Sequence, residues 1–419
     1  MVAAAVGLDQ PASPSAPPGL LGRLERTASP LARAALVALN LAAVAFSLLS
    51  CTWHGAGFGR YRIDLDVYRI GDQVWLRHGE LYGVLPLTRS GARLPFSYPP
   101  IAAAALSPLS LVPMAVAGTL LTLVSVALTA VVLRVFLRYG AQAGSWWLAG
   151  WLLPAALLLE PVRNTLNYGQ VNVLLMALVA ADCLCPEVRW PRGALVGLAA
   201  AVKLTPAAFV LFFLCRGDRR AAGTSALSFA ACTAAGFALA WHDSVRYWTS
   251  VVLQTTRPGS LLFAANQSIQ GVLARAGLDP HTRAGTATWL LLSAAVLVLA
   301  WCGMRRARAA SDDALALSLN AFAALLISPI SWSHHWVWAA PALLLLAVRG
   351  LRDSRRALLA AAVAGLAVFA AAPQWWFPHT DNREAHWAAW EQVIGGSYVI
   401  LAAVILLISA CRHPVARQR

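Results

Sequence analysis

Charged residues are scarce in this sequence: Asp, Glu, Lys and Arg make up 12% of its 419 residues, whereas 59% are hydrophobic. A soluble globular protein carries about 25% charged residues. So few charges cannot cover a water-facing surface of this size, which excludes a soluble globular protein. Lipid must be the solvent for most of the chain, and we predict an all-α integral membrane protein.

Acidic residues are scarcer than basic ones, 18 against 33, which gives a net charge of +15. The arginines lie in short clusters between apolar runs, as expected for cytoplasmic loops under the positive-inside rule. We therefore expect membrane lipids, and no nucleic acid, among the partners. These clusters are Arg216, Arg219 and Arg220; Arg305, Arg306 and Arg308; Arg349, Arg352, Arg355 and Arg356; and Arg412, Arg417 and Arg419.

The seven cysteines lie mostly within or at the edges of apolar runs, and Cys183 and Cys185 flank no histidine cluster. This placement is typical of small apolar residues rather than of a disulfide framework or a metal site. Residues 1–30 are rich in Ala, Pro and Ser and lack the signal-peptide pattern, so we predict a disordered cytoplasmic segment. Residues 412–419 are predicted to form a basic cytoplasmic tail.

Apolar runs recur from residue 31 to residue 411, and about 20 such residues cross about 30 Å of hydrocarbon. We predict one polytopic domain with about 10–12 transmembrane helices, some of them half-spans, and both termini in the cytoplasm. The stretch Tyr98–Leu137 fits either one crossing plus a half-span or two helices. The other spans are expected at Leu31–Trp53, 146–160, 171–184, 222–241, 287–303, 313–330, 336–349, 357–373 and 395–411.

Residues 194–215 have arginines before and after them and Lys203 in the middle. At about 1.5 Å per residue each half reaches only about 15 Å. This pattern predicts a broken or re-entrant pair of helices with Lys203 near its apex, lining protein or a wet cavity. A lysine at that depth must find a partner, and a lipid phosphate is one candidate. Snorkelling to the interface is the alternative.

The remaining polar residues whose burial in a membrane would cost free energy fall in segments that helix alternation places outside the cytoplasm. Asp64 and Asp66, in the loop His54–Ser97, could supply a general base; a helix cap is the alternative. The loop Glu160–Gln170 and the adjoining Asn172 suit a sugar and a phosphate, since Arg163 can bind phosphate oxygens in bidentate fashion. Its candidate ligands are Arg163, Asn167, Tyr168, Gln170 and Asn172.

Two further outer segments carry candidate ligands. Asn266 and Gln267 offer amides, and His334 and His335, in the run Ser328–Trp338, could bind phosphate or polarise a leaving group. Aromatic residues suit stacking on sugars, but an interfacial belt explains many of the 17 Trp residues, among them Trp375 and Trp376. Convergence of these segments on one face favours an enzyme, because a transporter needs access from both sides to a site near the midplane.

From about residue 31 to its end, the sequence resembles the actinobacterial polyprenyl-phosphate-mannose-dependent α-(1→2)-mannosyltransferases, which form glycosyltransferase family 87. The matching motifs occur in the family's order, and the last of them is highly specific. They are Tyr61-Arg62-Ile63-Asp64-Leu65-Asp66-Val67-Tyr68, Leu81-Tyr82-Gly83, Leu94-Pro95-Phe96-Ser97-Tyr98-Pro99-Pro100, Asn167-Tyr168-Gly169-Gln170-Val171-Asn172, Val202-Lys203-Leu204-Thr205-Pro206, Asn266-Gln267-Ser268 and Ser328-Pro329-Ile330-Ser331-Trp332-Ser333-His334-His335-Trp336-Val337-Trp338.

The resemblance implies a GT-C-type helical bundle in the plasma membrane with its active site on the extracytoplasmic face. It implies transfer of mannose from polyprenyl-phosphate-mannose to a mannan glycolipid, either lipomannan or lipoarabinomannan, or a phosphatidylinositol mannoside. The branch that adds single side units to lipomannan is the most similar. We expect a monomer that needs no cofactor or metal, with the lipid-linked donor as its only activated reactant.

The resemblance also implies residue roles. Asp64 matches the family's catalytic aspartate and would be the general base of an inverting transfer. Arg163, Lys203 and one of the two histidines would stabilise the departing phosphate. The other candidate substrate contacts are Asp66, Tyr68, Tyr98, Asn167, Tyr168, Gln170, Asn172, Asn266 and Gln267.

We expect the prenyl tail in a groove near Tyr98–Pro113. An arabinosyl- or glucosyltransferase on the same scaffold is the nearest alternative function, and a lipid or sugar transporter is a more distant one.

Overall fold

The structure is a computed structural model that describes residues 29–49, 61–140, 145–352 and 354–411. The predictions for the segment before residue 29, for the end of the first span and for the tail 412–419 lie outside the described residues. Within the described residues all regular structure is helical, with one isolated β-bridge between Asn266 and Trp332. The prediction of an all-α fold is confirmed.

The helices follow one another through short connections. They are α1 (Pro30–Leu49), α2 (Ile63–Leu76), α3 (Pro100–Leu106), α4 (Met114–Gly140), α5 (Trp146–Leu158), α6 (Glu160–Tyr168), α7 (Asn172–Leu184), α8 (Ala194–Val202), α9 (Val210–Arg216), α10 (Arg219–Leu239), α11 (Trp241–Thr249), α12 (Ile269–Arg275), α13 (Arg283–Ala309), α14 (Asp313–Ile327), α15 (Ala339–Arg352), α16 (Arg356–Ala371), α17 (Ala389–Gly395) and α18 (Ser397–Cys411).

Five of the described helices are long and apolar enough to cross a membrane: α1, α4, α10, α13 and α16. The pair α17 and α18, bent by 67°, would make a sixth if it forms one span. Five further apolar helical segments, among them α5, α7 and α14, have 10–17 residues. The 13 residues of α7 extend about 20 Å, less than the hydrocarbon thickness of about 30 Å. The chain is therefore a multi-pass membrane protein in which long helices surround shorter ones.

The stretch Tyr98–Leu137 forms one short helix and one long one. After α3, Pro108 lies in a 3₁₀ turn at Ser107–Ser110, and α4 begins just after Pro113. A proline cannot continue a helix that precedes it, so the two prolines separate the elements. Of the two alternatives left open by the sequence, the structure has one crossing preceded by a half-span.

The segment 194–216 breaks at Lys203, whose backbone is extended (φ −148°, ψ 125°). Arg192, before α8, donates to the carbonyl oxygen of Cys185 at 2.7 Å, and Arg216, at the end of α9, donates to that of Cys183 at 3.3 Å. Both ends of the segment therefore lie beside the end of α7. The predicted re-entrant pair with Lys203 at its apex is confirmed.

Ion pairs join several helix termini at one end of the bundle, which we call the basic end. Arg349 of α15 pairs with Asp312, just before α14, while Arg308 of α13 lies 3.3 Å from Asp313 and Arg216 of α9 lies 3.8 Å from it. Because α14 starts at the basic end and runs away from it, the residues that follow Ile327 lie at the opposite end.

Two segments that the sequence predicts as outer loops contain helices, α2 and α6. The signals for α6 were present: Pro161 lies in its first turn, and Gly169 ends it with a left-handed φ of 73°. Both helices are short, and charged and amide residues interrupt their apolar pattern. Length and hydropathy, which detect membrane spans, do not detect such helices.

The carboxylate of Glu160, at the start of α6, is fully buried and accepts four hydrogen bonds. Asn164 Nδ2 donates at 2.8 Å from the same helix, and Ser333 Oγ donates at 2.6 Å from the segment before α15. Trp375 Nε1 donates at 3.0 Å, and Tyr398 OH donates at 3.1 Å from α18. One side chain thus joins four parts of the chain that are far apart in sequence.

We expect Glu160→Ala to lower the free energy of unfolding by about 3 kcal/mol or more, because it leaves buried donors without an acceptor. The measurement is thermal unfolding of the purified protein in detergent. Glu187→Ala, which removes an exposed glutamate near the basic end, is the matched control and should unfold like the wild type. Equal melting temperatures for the two variants would contradict this role of Glu160.

Candidate active site

A cavity of about 1440 Å³ lies at the end of the bundle opposite the basic end. Segments that are far apart in the sequence form its walls, including the start of α2, one face of α6, the apex of the re-entrant pair and the residues after α14. It brings together ten of the fourteen predicted site residues. These are Asp64, Tyr68, Tyr98, Arg163, Asn167, Tyr168, Gln170, Lys203, His334 and His335.

Asp64, in the first turn of α2, is oriented by the amide of Gln170. Gln170 Nε2 donates to Asp64 Oδ2 at 2.7 Å, and Gln170 Oε1 accepts from Tyr68 OH at 2.6 Å and from Tyr98 OH at 3.1 Å. The ionised carboxylate of Asp64 fixes which way the amide points: it can only accept, so it faces the NH₂ group and leaves the amide oxygen to the two tyrosines. One carboxylate oxygen of Asp64 is therefore held, and no described residue forms a hydrogen bond with the other.

The surroundings of Asp64 make it a stronger base than an ordinary aspartate. Burial raises its pKa to about 6, while the hydrogen bond from Gln170 and the positive charge of Lys203 act in the opposite direction. A carboxyl group with this pKa is ionised at neutral pH and accepts a proton more readily than one with a pKa near 4. Asp64 therefore fits general-base chemistry.

Lys203 is the only lysine in the sequence, and the break between α8 and α9 directs its side chain into the cavity wall. Its ammonium group lies 2.9 Å from Asn172 Oδ1, 3.1 Å from His335 Nε2 and 5.4 Å from the centre of the Tyr98 ring. Among the described residues no carboxylate lies within 4 Å of it. These neutral groups position the positive charge without neutralising it, so the cavity wall favours an anion.

The two histidines have different surroundings. His335 is engaged by Lys203, whereas neither ring nitrogen of His334 has a hydrogen-bond partner among the described residues, although only 6% of this residue is exposed. The His334 ring meets those of Tyr168 and His335 edge-on, with centres 5.2 Å and 4.8 Å apart. A buried imidazole with unsatisfied nitrogens at a cavity wall is suited to bind a ligand. Both histidines line the cavity, and both stay candidates for contact with the donor phosphate.

Asn172 does not line this cavity. Its Oδ1 accepts from Lys203, and its Nδ2 donates at 2.9 Å to the backbone oxygen of His334. The residue thereby links the re-entrant apex to the histidine segment. Asn172 thus positions two site residues, and its role as a substrate contact stays a prediction.

Asp66 also lies outside the cavity lining. It is buried and accepts hydrogen bonds from Tyr61 OH at 3.0 Å and from the backbone N–H of Arg89 at 2.8 Å. Successive helix residues point about 100° apart, so two carboxylates at positions i and i+2 face different ways. Asp66 stabilises the segment between α2 and α3, and its role as a substrate ligand stays a prediction.

Asn266 and Gln267 are fully buried, and backbone groups pair with most of their amide atoms. Asn266 donates to the carbonyl oxygen of Pro329 at 3.3 Å and accepts from the backbone N–H of Ser331 at 3.0 Å. Gln267 Nε2 donates to the carbonyl oxygen of Gly395 at 2.8 Å. These amides join the residues just before α12 to the segment before α15 and to the end of α17. They do not line the cavity, and their role as substrate contacts stays a prediction.

Sequence reasoning missed an aromatic wall of the cavity. Phe263 lies between Trp332 and Trp375, with ring centres 6.0 Å and 5.8 Å away, and His379 follows 5.2 Å from Trp375. All four residues line the cavity. The high tryptophan content favoured an interfacial belt as the explanation, and only the tertiary structure brings these rings together. We call Phe263, Trp332 and Trp375 the aromatic wall.

The predicted tail groove near Tyr98–Pro113 is also corrected. The cavity lining includes Tyr98 and Pro99 and no later residue of that stretch, because α3 packs against α2 and α10. Phe46 of α1 and Val251 line the cavity instead. Since α1 is largely exposed on the outside of the bundle, the cavity borders the lipid beside Phe46.

The cavity of this helical membrane bundle combines an oriented carboxylate, a buried lysine and an aromatic wall, an arrangement that can accept a proton and bind an anion. The sequence profile of glycosyltransferase family 87 matches residues 96–329. The chain belongs to this family and is a membrane glycosyltransferase. No solved structure matches the chain.

Curated relatives cover most of the chain. It is 41% identical over 378 residues, 85% of each chain, to the polyprenol-phosphate-mannose-dependent α-(1-2)-phosphatidylinositol mannoside mannosyltransferase of Mycolicibacterium smegmatis. It is 40% identical over 384 residues, 88% of each chain, to the protein of the same name from Mycobacterium tuberculosis. A phosphatidylinositol pentamannoside mannosyltransferase of Mycobacterium tuberculosis is 34% identical over 326 residues, 75% of this chain and 73% of that one.

We expect kcat/KM for glycosyl transfer to fall as the pH drops below about 6, because protonation removes the base at Asp64. The measurement is the initial rate in detergent across this range. Gln170→Ala is the matched variant: it removes a hydrogen bond that lowers the pKa of Asp64, so its acid limb should move to higher pH. A wild-type rate that stays constant between about pH 5 and pH 7 would exclude Asp64 as the titrating base.

Proposed function

We propose that this chain transfers mannose from polyprenyl-phosphate-mannose to a 2-hydroxyl group of a mannosylated phosphatidylinositol glycolipid. One observation carries the proposal: the free oxygen of Asp64 faces the same cavity as the uncompensated ammonium group of Lys203. A transfer from a lipid phosphate requires a base for the acceptor and a positive charge for the leaving group. The names of the similar mannosyltransferases support both the donor and the linkage.

The reaction is a single displacement with inversion. Asp64 takes the proton of the acceptor hydroxyl group while the oxygen of that hydroxyl group bonds to the anomeric carbon of the sugar. The bond from that carbon to the phosphate oxygen breaks, and the negative charge moves to the lipid phosphate. Lys203, Arg163 and His334 line the cavity and stabilise that charge.

The acceptor occupies the part of the cavity beside the aromatic wall. Apolar faces of pyranose rings pack on aromatic rings, and Trp332 also offers its indole N–H group. Phosphatidylinositol mannosides, lipomannan and lipoarabinomannan share a mannosylated phosphatidylinositol, and the wall is suited to its sugar units. The proposed acceptors are therefore glycolipids with this shared structure, and assays with each glycolipid determine the length of mannan chain that the enzyme uses.

The active site faces the extracytoplasmic side of the plasma membrane. Support comes from the position of the cavity opposite the basic end, because arginine clusters favour the cytoplasm. Phe46, near the C-terminal end of α1, lines the cavity. The start of α1 then lies on the opposite side, which agrees with a cytoplasmic N-terminus.

We expect Asp64→Asn to reduce product by at least about a hundredfold, because an amide cannot accept the proton. Membranes carrying each variant are incubated with radiolabelled polyprenyl-phosphate-mannose and phosphatidylinositol mannoside or lipomannan, and the product is digested with an α-(1→2)-specific mannosidase. Asp66→Asn is the matched control: it alters a carboxylate two residues away that does not line the cavity, and should retain most of the activity.

Product from Asp64→Asn at the wild-type rate would remove this residue from the mechanism. Parallel assays with polyprenyl-phosphate-linked arabinose and glucose test the donor sugar. If wild-type membranes used one of these sugars and not mannose, the mannosyl assignment would be wrong.

We expect Lys203→Ala to slow transfer by about a hundredfold or more, and Arg163→Ala by about tenfold, because each removes charge from the leaving phosphate. The measurement is kcat/KM for the lipid-linked donor at saturating acceptor. Arg189→Ala, which removes an exposed arginine near the basic end, is the control and should have no effect. Normal donor kinetics in both site variants would refute the phosphate-binding roles.

A further inference from the structure

Arg257, in the loop after α11, lines the cavity and is held in place by backbone groups. Its Nε–H donates to the carbonyl oxygen of Phe96 and one Nη2–H donates to that of Tyr82, both at 3.2 Å. The guanidinium carbon lies 5.8 Å from the centre of the Tyr82 ring. The side chain is therefore fixed at the wall by neutral groups.

The charge of Arg257 has no acidic partner among the described residues. Its neighbour in the preceding helix, Arg246, pairs with Glu80 at 2.9 Å, whereas no carboxylate lies within 4 Å of Arg257. A guanidinium group has five N–H donors, of which two are used here. The remaining donors and the positive charge suit a phosphate, which guanidinium groups bind in bidentate fashion.

Arg257 belongs to a different part of the cavity from Lys203. Two residues after it, Gly259 lies so close to Trp332 of the aromatic wall that an added Cβ would be 3.1 Å from the indole ring. Lys203 is the cation whose charge acts on Asp64, and Arg257 is not among the groups that do so. The cavity thus has one cationic centre beside the base and a second beside the aromatic wall.

A glycosyl transfer from a lipid phosphate needs only one phosphate site at the reacting carbon, and the Lys203 centre supplies it. We propose that Arg257 binds the phosphodiester of the phosphatidylinositol acceptor and selects glycolipids that carry this anion. The inference rests on the proposed function and adds the residue that recognises the acceptor. Arg257 would act in positioning the acceptor while the aromatic wall contacts its sugars.

The test pairs a change in the protein with a change in the ligand. Binding of two soluble acceptor headgroups to the detergent-purified protein is measured by thermophoresis: a glycerophosphoinositol mannoside, and the inositol mannoside that lacks the glycerophosphate. We expect the wild type to prefer the phosphate-bearing headgroup by about tenfold, as a charged hydrogen-bonded pair would give. Arg257→Ala should abolish the preference, and Arg257→Lys should retain part of it.

Two controls separate recognition from loss of structure. Arg246→Ala changes the neighbouring arginine, which does not line the cavity, and should keep the wild-type preference. If Arg257→Ala loosened the segment around Phe96, binding of both headgroups would weaken equally and the preference would survive, which would overturn the proposal. Equal binding of the two headgroups by the wild type would also overturn it.

A kinetic arm keeps this inference distinct from the proposed function. With the full lipid acceptor, Arg257→Ala should raise KM for the acceptor about tenfold and leave KM for the lipid-linked donor unchanged. A rise in KM for the donor alone would assign Arg257 to the donor phosphate instead. Absence of mannosyl transfer by the wild type would contradict the proposed function, while the headgroup preference would still be measured.

Discussion

The buried carboxylate of Glu160 is the interaction on which the rest of the site depends. It accepts hydrogen bonds from Asn164, Ser333, Trp375 and Tyr398, so it fixes α6 against the histidine segment, the aromatic wall and α18. Burying a carboxylate costs free energy unless hydrogen-bond donors surround it. Any arrangement that removed one of these donors would therefore be much less stable than the observed one. Glu160 lies outside the cavity lining, yet it determines where three walls of the cavity meet.

The second constraint is the short length of the central helices. Because α7 and the two arms of the re-entrant segment are too short to cross the hydrocarbon, their ends meet within it, where Lys203 and Asn172 are hydrogen-bonded. Long, mostly exposed helices such as α1, α10 and α13 lie outside them and form the contact with lipid. The arrangement places polar chemistry inside an apolar protein while the exposed surface stays compatible with the membrane.

Much of this could be predicted from the sequence, for physical reasons. Hydropathy and arginine placement predicted the membrane class, and Lys203 between two short apolar arms predicted the re-entrant break. The backbone contacts of Asn266 and Gln267 could not be predicted, because an amide suits a ligand and a backbone carbonyl equally well and only the fold shows which it meets. Arg257 and the aromatic wall were missed because their partners are remote in sequence, and an isolated arginine or tryptophan in a loop has no periodicity to reveal its role.

The shortness of α7 also has an electrical consequence. A water-filled cavity that reaches Lys203 leaves only about 20 Å of low-dielectric protein between its floor and the basic end, so the membrane potential falls across that layer. Charges that move within the cavity cross almost none of this voltage, although a full crossing would involve about 2.3 kcal/mol per charge at 100 mV. Charge separation within the cavity is thereby nearly independent of the membrane potential.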